Sequence, residues 1–136
     1  MSTPEVSVAK VAGLLDLKNF TTDIDLKKHK IRSSDVNRPG MQIAGYFEHF
    51  EESRVEIIGN VEYYYIRNMS EQDRLQRYQQ FLTYDIPCII YCRDLEPDEM
   101  MLRMADEKQI PILGTSRPTS EFTAELIYCL GEQLAP

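Results

Sequence analysis

The chain has 136 residues, 43% of them hydrophobic and 27% charged, and 22 acidic against 15 basic residues give a net charge of −7. That length suits one domain with a real core, and the acidic balance is the opposite of what nucleic-acid binders usually carry. No apolar run approaches the ~18 residues of a membrane span, and the start, MSTPEVSVAK, lacks the basic-then-apolar order of a secretory signal, so a cytoplasmic location is expected.

The first predicted element is a helix. Thr3 can cap it, Pro4 suits its first position, and Val8, Val11, Ala12 and Leu15 recur at helical spacing. Residues 18–36 are polar and irregular, with a strand expected around Lys30–Ser33. The basic group Lys27, Lys28, His29, Lys30 and Arg32 follows acids at Asp23 and Asp25 and reads as a solvated approach to that strand. Asn37-Arg38-Pro39-Gly40 is a turn signal, since proline fixes φ and glycine frees it. Residues 41–47, MQIAGYF, suit a strand or a short helix, with Gly45 marking a close backbone approach.

The second half is more regular. Val55–Ile58 is a β-branched run ending at the turn pair Gly59-Asn60, and residues 61–68 favour a helix. Ser70-Glu71-Gln72-Asp73 resembles a capping box and opens a helix expected to bury Leu75, Tyr78 and Leu82. Ile86–Tyr91 suits a buried strand. Pro97 opens a helix with an apolar stripe of Met100, Met101, Met104 and Ala105, which reads as core. Ile110–Leu113 is a further strand. A loop from Thr115 to Ser120 leads to a last helix expected to turn Phe122, Leu126, Ile127 and Leu130 inward, and Gly131 to Pro136 reads as the start of a connection. Strands alternating with helices predict an α/β fold of three layers, α/β/α, around a mostly parallel sheet, as one domain over 1–136.

In such a fold, ligands sit at the carboxyl ends of the strands. That selects the loops at Gly59-Asn60, at Cys92-Arg93-Asp94 and at Gly114 to Ser120. Thr115, Ser116 and Arg117 combine hydroxyls, a guanidinium and a helix N-terminus, a set that could hold a phosphate or carboxylate, although Thr119 or Ser120 could equally cap the helix beside a solvated Arg117. Arg93 is a second cationic candidate. Cys88 and Cys92, four apart in a strand and so roughly 13 Å apart, cannot form a disulfide. With no CxxC and with His29 and His49 in unrelated contexts, no metal site is expected. No GxxxxGK[ST], GxSxG, HExxH or GxGxxG is present, so the residues alone describe an α/β domain without a catalytic constellation.

Longer stretches carry a family resemblance. Ile31 to Phe47, containing Asn37-Arg38-Pro39-Gly40 and Ala44-Gly45-Tyr46-Phe47, the step Ile57-Ile58-Gly59-Asn60-Val61-Glu62, and the matches from Asp85 to Asp98 and from Ala124 to Pro136 together resemble the N-terminal domain of bacterial HPr kinase/phosphorylase. The resemblance implies a fold similar to the N-terminal domain of Mur ligases. It also implies a parent enzyme that phosphorylates and dephosphorylates a serine of HPr in carbon catabolite regulation. ATP and Mg2+ would then belong to a C-terminal P-loop kinase domain absent from these residues, and this chain would have no catalytic residue and no cofactor of its own. Two roles follow as expectations. One is regulation and assembly, through contact with the kinase domain of the same protein, with neighbouring subunits of a homo-oligomer and with HPr. The other is sensing of a nucleotide or sugar phosphate near Ser33, Ser34, Asp35, Arg93, Thr115, Ser116 and Arg117.

Overall fold

The computed structural model describes residues 4–136. Seven strands and six α-helices alternate: β1 (Val6–Ser7), α1 (Val8–Leu14), β2 (Lys18–Asn19), β3 (Lys30–Ile31), β4 (Val36–Asn37), α2 (Gly40–Ile43), β5 (Val55–Ile58), α3 (Asn60–Arg67), α4 (Glu71–Phe81), β6 (Ile89–Tyr91), α5 (Glu99–Lys108), β7 (Ile112–Gly114) and α6 (Thr119–Gln133). A five-stranded sheet runs in the order β2, β7, β6, β5, β4. Strands β4 to β7 are mutually parallel, in the register Glu56 beside Ile89 and Ile89 beside Ile112. The edge strand β2 is antiparallel to β7. The expected α/β/α architecture is therefore the observed one.

The period-2 alternation of the short strands divides the core into two faces. Ile58, Ile89, Tyr91 and Ile112 face α2 to α5, where they meet Ile66, Tyr78, Phe81 and the stripe Met100, Met101, Met104 and Ala105. Val55, Ile57, Cys88, Ile90, Cys92 and Leu113 face the other way, against Val8 and Val11 of α1 and Phe122, Leu126 and Leu130 of α6. Because β4, β5, β6 and β7 lie in chain order, crossovers of one hand must share a face, and α2 to α5 do. Helix α6 has no further strand to reach and folds over the opposite face.

Several expectations are corrected. Thr3 lies outside the described residues. Pro4 does not open a helix: Val6 pairs with Ile31 in a separate two-stranded sheet, and the Ser7 hydroxyl accepts from the Lys10 N–H at 3.0 Å to cap α1. Lys18–Asn19 and Val36–Asn37 are strands inside a stretch read as largely irregular. Each is two residues long, too short for a periodic signal. Ile86 and Pro87 precede the strand, which starts at Ile89. Pro97 stands just before α5, whose cap is Asp98, accepting from Met101 N–H at 2.7 Å. Leu75 and Ile127 are 38% and 44% exposed rather than inward, each one position off the buried face of its helix. Helix α6 runs through Gly131 to Gln133 where a connection was expected, and Leu134 still packs against the core. The ambiguous segment 41–47 holds the short helix α2. Gly45 follows it with φ +101°, and the Arg77 guanidinium lies 3.0 Å from where a Cβ would stand.

Candidate functional site

Four strands deliver loops to one end of the sheet. At the end of β5 the expected turn pair is instead a helix start. Gly59 precedes α3, and its N–H donates to Glu62 Oε1 at 2.7 Å. The same carboxylate accepts from Arg38 Nε at 2.8 Å and Nη2 at 3.0 Å. Arg38 follows β4, so this buried Glu62 ties two adjacent strand ends through a bidentate pair. The residue at position 59 must be small. A Cβ there would stand 2.7 Å from Thr119 Oγ1 and 2.9 Å from Arg38 Nη2. Thr119, the first residue of α6, buries a hydroxyl that has no nitrogen or oxygen partner among the described residues and lies beside the Cys92 thiol.

At the end of β7, Thr115 and Arg117 of the predicted anion set are engaged within the protein. Arg117 Nη1 donates to the Leu15 carbonyl at 2.8 Å, and its Nε lies 3.1 Å from Glu125 Oε2. Thr115 Oγ1 accepts from the Arg117 N–H at 3.3 Å. Backbone bonds from Arg93 N–H to the Arg117 carbonyl (3.1 Å) and from Asp94 N–H to the Thr115 carbonyl (3.0 Å) bind this loop to the one after β6. Arg93 and Asp94 both hold left-handed φ values near +60° to make that connection, a conformation that costs a non-glycine residue roughly 1 kcal/mol. Ser116 lines a cleft of about 320 Å3 whose charged residues are Asp16, Asp94, Glu96 and Lys18. Three carboxylates against one ammonium disfavour the expected phosphate.

Ser33, Ser34 and Asp35 precede β4 and so stand at the amino end of the sheet, opposite Thr115 to Arg117, which follow β7. The structure does not bring these two groups together. Ser33 Oγ accepts from the Asp35 N–H at 3.1 Å, and Asp35 lies 3.9 Å from Arg54. A loop that caps itself in this way is a turn motif. Thr119 and Ser120 do not cap α6 either, because the helix starts at Thr119 and its cap position falls on Pro118.

Two features lie outside the residues that the sequence selects. The first is Glu56, an acid inside the run Val-Glu-Ile-Ile. It is fully buried, Oε1 accepts from Asn37 Nδ2 at 2.7 Å, and Oε2 has no partner among the described residues. Burial pushes its carboxyl up to about 8. The second is a cleft of about 380 Å3 at the end of β6, lined by Tyr63, Ile66 and Arg67 of α3, Arg74 and Tyr78 of α4, Tyr91, and Glu96 to Asp98. Asp98 Oδ2 accepts from Tyr78 Oη at 2.8 Å and lies 3.5 Å from Arg74 Nη1. These residues come from four separate elements. A buried acid within a β-branched run was the one local oddity that could have been noticed.

The thiols are not activated. Burial pushes Cys88 up to about 12 and Cys92 up to about 11, and it raises Cys129 as well. A nucleophilic thiol needs the opposite shift. Among the described residues there is no cluster of three or more metal-ligating side chains, and no helix is long and apolar enough to cross a membrane.

Comparison with known proteins follows this geometry. Residues 6–130 match the family described as HPr Serine kinase N terminus. The chain is 38% identical over 131 residues to the HPr kinase/phosphorylase of Lachnoclostridium phytofermentans and 35% identical over 131 residues to that of Alkaliphilus metalliredigens. Each alignment covers 96% of this chain and 42% of the relative, so the chain spans about two-fifths of the length of these proteins. Among solved structures, it resembles the CBS and DRTGG domains of the regulatory region of Clostridium perfringens pyrophosphatase, a structure complexed with the activator diadenosine tetraphosphate. The TM-score is 0.57 at 14% identity, covering 89% of this chain and 45% of that one. That likeness establishes the fold alone.

Proposed function

The chain belongs to the HPr Serine kinase N terminus family, and from that premise we propose that it is the regulatory, non-catalytic part of an HPr kinase/phosphorylase. In this reading the remainder of the parent protein binds ATP and Mg2+ and transfers phosphate to and from a serine of HPr. This domain docks on that remainder, or on a neighbouring subunit, and adjusts its activity.

The observation that carries the reading is an exposed face on α3. Val61, Tyr64 and Tyr65 share one side of the helix at i, i+3 and i+4, and Val61 is 74% exposed. Met41 of the neighbouring α2 and Tyr46 just beyond it are exposed as well. Clustered aromatic and aliphatic side chains left in water mark an interaction surface. In the relatives, more than half of the polypeptide lies beyond the matched region and is the natural occupant.

The test uses the full-length parent and the isolated chain. The isolated chain with HPr and Mg-ATP should give no serine phosphorylation above background. In the parent, Val61→Asp with Tyr64→Asp should change the assembly seen by light scattering and shift the kinase-to-phosphorylase balance. Turnover by the isolated chain, or a parent variant indistinguishable from wild type in both readouts, would sink the proposal.

A further inference from the structure

The cleft at the end of β6 is a strand-end site where polar groups converge without being used up internally. Tyr91 ends the central strand of the sheet and is 1% exposed. It is a lining residue of the cleft, yet its hydroxyl makes no hydrogen bond to the described residues. Arg74 Nε, of another lining residue, is buried without a partner among the described residues. A buried donor left unmade costs roughly 1–3 kcal/mol, so Arg74 Nε calls for an explanation, and Tyr91 adds an unbonded hydroxyl to the same cleft. Arg67 adds a third donor group: it forms no salt bridge among the described residues, and its guanidinium lies 5.8 Å from the Tyr63 ring centroid.

The walls are of a different kind. The rings of Tyr63 and Tyr91 meet edge to face at 6.3 Å, and Ile66 and Pro97 line the cleft beside them. Asp98, the nearest acid, is already engaged three times, by the Tyr78 hydroxyl, the Met101 N–H and Arg74. Glu96 is exposed. It is the one lining acid without a bond among the described residues.

We propose that this cleft binds a small molecule that combines an oxyanion with a planar aromatic ring, of nucleoside-monophosphate size. Three donors of different elements suit a tetrahedral phosphate, whose several acceptor oxygens can meet them at once. The tyrosine and proline walls suit a flat ring. Glu96 can accept from a ligand hydroxyl. The volume of about 380 Å3 lies at the small end of the ligand-pocket range, roughly 300–1,000 Å3. The site shares no residue with the exposed face Val61, Tyr64 and Tyr65, so it stands or falls separately from the docking role.

The experiment is a thermal-shift titration of the chain with adenosine and guanosine monophosphate, with inorganic phosphate and adenosine as single-part probes. At 10 mM, one of the two nucleotides should raise the Tm by at least about 3 °C, because a ligand that binds only the native state stabilises it. Tyr91→Phe and Arg74→Gln should each cut that rise by more than half while keeping a cooperative transition of their own. Tyr91→Phe removes an unpaired hydroxyl and no contact, so it keeps the test valid should Arg74→Gln fail to fold. No rise with either nucleotide would overturn the proposal. So would an equal rise in wild type and Tyr91→Phe, or an equal rise with inorganic phosphate alone, since the aromatic wall would then contribute nothing.

Discussion

The ends of β6 and β7 are neighbours in the sheet and opposite in character. After β7, Thr115 and Arg117 look in the sequence like an anion site, and in the fold their donors are taken up by Leu15, Glu125 and one another. After β6, Tyr91 and Arg74 drew no attention as residues, yet they retain unpaired donors around a cleft. Donor-rich composition does not make a site. What matters is whether the surrounding fold has already satisfied the donors, because a bonded guanidinium must first be released before it can bind anything else.

The contrast between satisfied and unsatisfied polar groups can be broken at four points. Glu56, a further unsatisfied group, gives the largest expected effect. Its folded pKa of about 8 lies above the ordinary value of 4.5. Below pH 4.5 both folded and unfolded forms are protonated and its contribution to stability is fully present. Between 4.5 and 8 only the unfolded form ionises, so stability falls, at up to roughly 1.4 kcal/mol per pH unit. Glu56→Gln should abolish that slope in urea titrations run from pH 4.5 to 8.5; equal slopes in wild type and variant would show the carboxyl to be solvated after all.

Next comes the satisfied latch of β4 and β5. Glu62→Ala strips partners from Arg38 and from the Gly59 N–H, and should cost about 3 kcal/mol in chemical denaturation. The exposed part of Arg38 can turn to water, so a loss below about 1 kcal/mol would mean that the latch is a surface pair in effect. Arg117→Ala should cost less, about 1 kcal/mol, and should speed amide exchange at the end of α1, where the Leu15 carbonyl loses its donor. Unchanged exchange there would return Arg117 to the pool of free cations. The smallest effect belongs to Tyr91→Phe, within about 0.5 kcal/mol of wild type in either direction, since the lost hydroxyl has no protein partner. A large destabilisation would reveal a hidden bond and remove the contrast with β7.

The latch and the cleft also differ in how far they could be read in advance. Gly59 and Glu62 sit three apart in one short stretch, inside a segment similar to a known family, although the bond from Arg38 to Glu62 spans 24 residues and the close approach of Gly59 to Thr119 spans more. The cleft has no such local anchor. Tyr63 and Tyr78 belong to helices whose inward faces could be assigned only approximately, as the misplacement of Leu75 on α4 shows.

Local sequence was sufficient for what depends on neighbours along the chain. Alternating β-branched strands at Val55–Ile58, the methionine stripe of α5, the Ser70 cap and the Phe122, Leu126, Leu130 spacing all follow from periodicity and capping chemistry, and together they dictate three layers around a parallel sheet. Tertiary structure alone decided which polar groups find partners. The two-residue strands β2 and β4 exist only because β7 and β5 offer them edges, Arg117 is occupied only because α1 ends beside it, and the Tyr91 hydroxyl and Arg74 Nε remain unpaired only because α3, α4 and the loop before α5 close around them without supplying either atom an acceptor.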